Sequence, residues 1–149
     1  MTGMTQNRLA TIGYERATLA DVIARLQAAG VELLIDVRAV AASRRAGFSK
    51  TLLSASLNAA GIGYVHLRQL GTPKPGREAA RKGRVAEMHA IFEDHMAEPA
   101  AQLELARATE LVREKPVALL CYEAEACVCH RRILSDRIRQ TLACEVVDL

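Results

Sequence analysis

The chain has 149 residues, half of them hydrophobic, a quarter charged and none of them Trp. This length fits one domain with a substantial core, the composition excludes a disordered polymer, and no apolar run approaches the roughly 20 residues that span a bilayer. The net charge of +3 and a pI near 8.8 give only a mild preference for anionic partners.

Residues 1–7 are polar and patternless and are expected to be loose, with residues 8–149 forming a single domain. The start lacks a signal-peptide apolar core, so a cytoplasmic protein is expected. Residues 9–13 read as a short buried strand. Thr18 suits a helix N-cap, and Asp21 three positions on completes a capping-box pattern. Leu19, Val22, Ile23 and Leu26 recur at helical spacing, and Gly30 suits a left-handed C-terminal cap. Residues 31–37, VELLIDV, form an almost continuous aliphatic run of the kind covered on both faces of a parallel sheet. Small and basic residues follow over 39–48. Ser49 is then expected to cap a helix over 50–60, with Leu52, Leu53 and Leu57 inward.

Residues 62–67, IGYVHL, read as a third strand ending in His66. Two prolines and two glycines over 71–76 predict a long irregular stretch, and long loops in compact domains are often functional. Residues 68–84 hold Arg68, Lys74, Arg77, Arg81, Lys82 and Arg84 against the single acid Glu78. Such a segment attracts phosphate or nucleic acid, or is simply a solvated surface loop. Helices are expected over 84–96, with Val85, Met88 and Phe92 on one face, and over 100–113, with Pro99 in its first turn. Residues 117–120 form a fourth strand that delivers Cys121, Tyr122 and Glu123 into a loop. A helix from about 129 to 142 and a short strand at 145–149 complete the chain.

Alternating strands and helices predict a single three-layer α/β domain: a mainly parallel sheet of about five strands flanked by helices on both faces. Ligands of such sheets lie outside the carboxyl ends of the strands, at a switch in strand order. That rule puts Asp36 to Arg38, His66 and Cys121 to Glu123 on one rim.

The segment PVALLCYEAEACVCHRR (116–132) holds three of the four cysteines. Cys121, ahead of a helix N-terminus and near Arg131, has the surroundings of an activated thiol; a packed hydrophobe is the plain alternative. Cys127, Cys129 and His130 have ligand chemistry, but C-V-C-H is too compressed for structural zinc and no second pair exists. No metal or cofactor is therefore expected. The tract is expected instead to open a helix whose free amides face an anion. Cys144 is expected to be a small packed residue, and a disulfide framework is not expected. Glu123 and Asp36 are candidate acid–base groups, or loop caps and partners of nearby arginines. Arg38, Ser43, Arg44, His66, Cys129, His130 and Arg131 are candidate contacts to an anion, because guanidinium groups grip phosphate or carboxylate bidentately. No Walker loop or dinucleotide fingerprint is present.

The motifs TIG (11–13), LIDVRAVAASRRAGF (34–48), GIGYVHLRQLGTPK (61–74) and LLCYEAEACVCHRR (119–132), in this order, resemble the family of domain of unknown function 488. The resemblance covers nearly the whole chain. It implies an α/β domain without a settled activity, and motif positions at Asp36, Arg38, Ser43, Arg44, His66, Gly71, Cys121, Glu123, Cys129, His130 and Arg131, the last three forming a C-H-R motif. The family often carries His-Ser after T-I-G, where this chain has Tyr14 and Glu15. A more distant likeness is to rhodaneses, which share a strand ending in D-V-R and a later strand ending in Cys; their Cys-to-Arg loop is shorter than the one here.

These readings lead to an enzyme, Cys- or Glu-dependent, that acts on an anionic substrate such as a nucleotide or nucleic-acid component. Cys121, Glu123 and Asp36 would carry the chemistry. A non-catalytic nucleic-acid or protein-binding module and a sulfurtransferase are the competing readings.

Overall fold

The computed structural model describes residues 7–123 and 130–149. Five strands, β1 (Asn7–Gly13), β2 (Leu33–Asp36), β3 (Gly63–His66), β4 (Val117–Cys121) and β5 (Cys144–Asp148), form one sheet in the order β3-β2-β4-β1-β5. Every described pairing is parallel. The helices are α1 (Leu19–Ala28), α2 (Lys50–Ala59), α3 (Lys74–Arg81), α4 (Val85–Met96), α5 (Pro99–Glu114) and α6 (His130–Thr141). The expected three-layer α/β architecture is the one observed.

The layers follow from side-chain alternation along each strand. On one face Leu9, Ile35, Val117 and Leu119 pack with Phe92 of α4, Ala108 and Val112 of α5, and Leu134 and Ile138 of α6. On the other, Ala10, Ile12, Leu34, Ala118 and Leu120 pack with Val22 and Leu26 of α1 and Leu53 and Leu57 of α2. β4 carries five buried residues in a row because helices cover both its faces.

Local signals account for most boundaries. Thr18 and Asp21 form the reciprocal capping box, and Gly30 sits at φ +73° just beyond α1. Pro99 occupies the first turn of α5. β1 begins at Asn7, inside the stretch expected to be loose, because Asn7 pairs with Cys144 of β5.

Three local expectations are corrected. Ser49 precedes α2 but makes no side-chain cap bond; its Oγ instead accepts from Ser43 N and donates to Ser43 O. Leu52 points outward, 59% exposed, because Leu53 and Leu57 already fill the inner stripe of α2. The irregular stretch expected over 71–76 shrinks to residues 71–73, because α3 already begins at Lys74. A single 3-10 turn (Arg68–Leu70) leads into α3, where Pro75 lies in the first turn and needs no intrahelical amide partner. Gly76 is buried, with Thr72 Cγ2 2.5 Å from where a Cβ would stand, so the absent side chain allows that close approach. Among the described residues, no helix is long and apolar enough to cross a membrane.

Candidate functional site

The chain moves one way across the sheet from β1 to β2 to β3, and the other way from β3 to β4 to β5. β1 and β4 are neighbours, yet their following segments leave toward opposite faces, which opens a crevice at their carboxyl ends. The backbone joins across its base, where Glu15 N donates to Tyr122 O at 2.8 Å. A cavity of about 560 Å³ opens there, lined among others by Tyr14 and Glu15 after β1, Arg38 to Val40 after β2, Cys121 to Glu123 after β4, and His130. Helix α3 forms the far wall with Arg77 and Arg81, backed by Met88 of α4.

Beneath this cavity lies a buried polar network. Asp36 is wholly buried. It accepts from Arg38 Nε at 2.8 Å, Arg38 Nη2 at 2.7 Å, Arg38 N at 3.1 Å and Tyr64 Oη at 2.6 Å. Arg38 Nη1 donates to Phe48 O at 2.8 Å and Tyr14 Oη at 3.2 Å. Burial alone would pull the Arg38 guanidinium down, but the hydrogen bonds and charge of Asp36 hold it well above its usual range. Burial, and then the bond to Asp36, push the Tyr64 hydroxyl well up. Tyr14 stacks on Phe48 with centroids 4.2 Å apart, so the same network fixes an aromatic wall.

His66 Nε2 donates to Arg38 O at 2.7 Å, and His130 Nε2 donates to Val37 O at 2.8 Å. Both imidazoles thus brace the β2 segment from its two sides. Burial depresses the His130 ring to about 4, aided by the Arg131 charge and opposed by the Val37 hydrogen bond, so it is neutral.

Glu123 carries the most suggestive shift on the cavity wall. Burial raises its carboxyl above the usual range, with the Glu15 charge adding to this and the Arg131 charge opposing it. Its Oε2 lies 3.3 Å from Cys121 Sγ. Cys121 is itself disulfide-bonded; a single bond is not the multi-disulfide framework that the cysteine count argues against. Cys144 is free and buried, as expected. Arg131 is 1% exposed and does not line the cavity; its Nη2 donates to Glu123 O at 2.6 Å. Burial brings its guanidinium down to about 10, against the charges of Asp148 and Glu123, so it stays cationic at neutral pH.

The rim expected from the sequence is the rim observed, but its members divide. Cys121, Glu123, Arg38 and His130 reach the cavity. Asp36, His66 and Arg131 support it from outside the lining. Ser43 shapes the loop after β2 by accepting from Arg45 N, and Arg44 is exposed away from the cavity. Cys127, Cys129 and the helix opening assigned to them lie outside the described residues. Sequence reasoning missed Tyr14 and Glu15 as cavity residues; the signal was their position directly after a strand. Arg77 and Arg81 stood within the basic segment, but their convergence needed α3, which sets them one turn apart. Among the described residues, no cluster of three His, Cys, Asp or Glu side chains is placed to hold a metal ion.

A family model described as Domain of unknown function DUF488 matches residues 18–138, from the cap of α1 to the inner face of α6. The chain belongs to that family. No curated protein and no solved structure matches it, and the likeness to rhodaneses gains no support from these comparisons. The DUF488 match covers the segments after β2, β3 and β4 that surround the cavity, whereas Tyr14 and Glu15 precede it.

Proposed function

We propose that this DUF488 protein is an enzyme acting on an anionic, phosphate-bearing substrate of nucleotide-like size, bound at the strand carboxyl ends. One observation carries the reading. Arg77 and Arg81 share a single cavity with a carboxyl raised by burial, Glu123, and with the sulfur of Cys121. Guanidinium groups suit phosphate, and the cavity volume lies within the few hundred Å³ typical of small-molecule sites. A carboxyl that holds its proton above the ordinary range suits general acid–base work. Cys121, once reduced, would have a proton acceptor within reach for nucleophilic attack.

Calorimetric titration with nucleoside monophosphates and the matching nucleosides tests the binding half. The expected result is phosphate-dependent binding that Arg77→Ala or Arg81→Ala weakens about tenfold or more, the scale of one charge-assisted hydrogen bond. Equal affinity for nucleoside and nucleotide would sink it. Thiol labelling at neutral pH under reductant tests the nucleophile: Cys121 should react ahead of Cys144 because its sulfur has the Glu123 carboxylate within 3.3 Å, and equal rates would leave Glu123 alone as the reactive group. The competing non-catalytic module predicts binding without turnover of any phosphate ester.

A further inference from the structure

The charge of the chain is strongly polarised along the strand axis. The stretches that follow β1, β2 and β3, residues 14–17, 37–50 and 67–84, carry eleven Lys and Arg against two acids, Glu15 and Glu78. The rest of the chain carries nine Lys and Arg against fifteen acids. A net charge of only +3 therefore conceals a surplus of nine positive charges in these three segments, against which the segment after β4 sets the carboxyl of Glu123. Arg38 is buried in the Asp36 network, but Arg16, Arg44, Lys50, Lys74, Arg81 and Lys82 are all exposed. None of those six forms an ion pair among the described residues. Only Arg77 and Arg81 of the surplus line the cavity besides Arg38. One phosphate group inside the cavity leaves most of this charge unused.

A second feature indicates what the polyanion carries between its charges. Tyr122 lines the cavity and is 44% exposed. Its ring stands edge-on against Tyr14 at 5.3 Å, and Tyr14 is fixed in turn by Phe48 and Arg38. A rigid, half-open aromatic ring at a cavity wall offers a stacking face for a base. A base inside a duplex cannot reach such a cavity without leaving its stack.

Resting on the proposed phosphate-binding cavity, we infer that the substrate is a single-stranded nucleic acid, with one nucleotide in the cavity beside Tyr122 and the flanking phosphates on the basic rim. The rim cations replace condensed counterions, so affinity must fall with salt in proportion to the phosphates held, with a slope of about −0.7 per phosphate for a single strand.

The test is fluorescence anisotropy with a labelled single-stranded 15-mer, its duplex and a competing mononucleotide, over 50 to 300 mM salt. The single strand should bind at least about tenfold tighter than the mononucleotide at the lowest salt, with a slope of about −3 from four or more phosphate contacts. Replacing Lys50, Lys74 and Lys82 by Gln should lower the ratio of strand to mononucleotide affinity and flatten the slope by about 2. Circular dichroism checks that this variant folds, and the wild-type salt series stands without it. Mononucleotide and strand binding with equal affinity and slope would overturn the inference while leaving the phosphate-binding cavity intact. Duplex binding as tight as single strand would overturn the assignment to single strands. Binding of neither strand nor mononucleotide would overturn the cavity reading itself.

Discussion

Asp36 and Arg38 grip each other two residues apart at the end of β2, through Nε to Oδ1 at 2.8 Å and Nη2 to Oδ2 at 2.7 Å. With Tyr64 on Asp36 and Tyr14 and Phe48 on Arg38, the pair pins the sheet end to both neighbouring segments. The sequence made Asp36 a candidate for chemistry and Arg38 a candidate for substrate; the geometry sets Asp36 beneath the cavity as the anchor of Arg38, which itself reaches the cavity wall.

Removing one partner of such a pair strands the other as an uncompensated buried charge. Asp36→Asn is expected to cost about 3–5 kcal/mol of stability in urea denaturation. The paired replacement Asp36→Leu with Arg38→Met should cost less than Asp36→Asn alone, because no charge is then left stranded. A single variant within experimental error of the wild type would remove the anchoring role.

His130 makes the fold sensitive to acid. Its folded-state ring titrates near 4, whereas an unfolded histidine titrates near 6.5. Between those values the unfolded chain binds a proton that the folded chain refuses. Its stabilising contribution is full above pH 6.5 and is lost as pH falls toward 4, by about 3 kcal/mol. Denaturation at pH 7.5 and pH 4.5 should show this loss, and His130→Gln should shrink it. Equal losses in both proteins would assign the acid sensitivity elsewhere.

Glu123 sets the expected pH dependence of the site. Its raised carboxyl means that the proton is held at a pH where a solvated glutamate has already lost it. The acidic limb of any pH–rate profile should therefore lie above 4.5, and Glu123→Gln should abolish that limb rather than shift it. A limb unchanged in Glu123→Gln would give the acid–base role to another group.

Gly71 marks a contact between backbones. A Cβ there would stand 2.1 Å from Ala39 N, although its φ of −86° is open to any residue. The constraint is therefore crowding rather than backbone conformation. Gly71→Ala is expected to cost about 1–3 kcal/mol or more, the range of overpacking, and to weaken ligand binding because Ala39 and Val40 line the cavity. Full stability together with full binding would show that the loop yields freely.

Much of the fold was legible because its signals are local. The aliphatic run of β2 and the capping box of α1 specify their elements from neighbours a few residues away, and alternation of strand and helix then constrains the sheet to be parallel. The failures have one origin. Leu52 reads as core because helical spacing tolerates it, and only the position of the sheet decides which leucines face inward. Residues 71–76 read as irregular because Pro and Gly break regular structure on average. A proline in a first turn and a glycine under a neighbouring threonine break nothing.

The sequence by itself determined the class of the fold, the rim that gathers Asp36, His66, Cys121 and Glu123, and the local surplus of positive charge after the third strand. Only the tertiary structure decided which of those groups face a cavity and which lie beneath it. Asp36 and Arg131 turn inward because burial of a charge demands partners, and Arg38 and the Glu123 carbonyl supply them. Arg77 and Arg81 turn toward the cavity because α3 folds over the strand ends. That division depends on contacts between residues far apart in the chain, which spacing along the sequence does not encode.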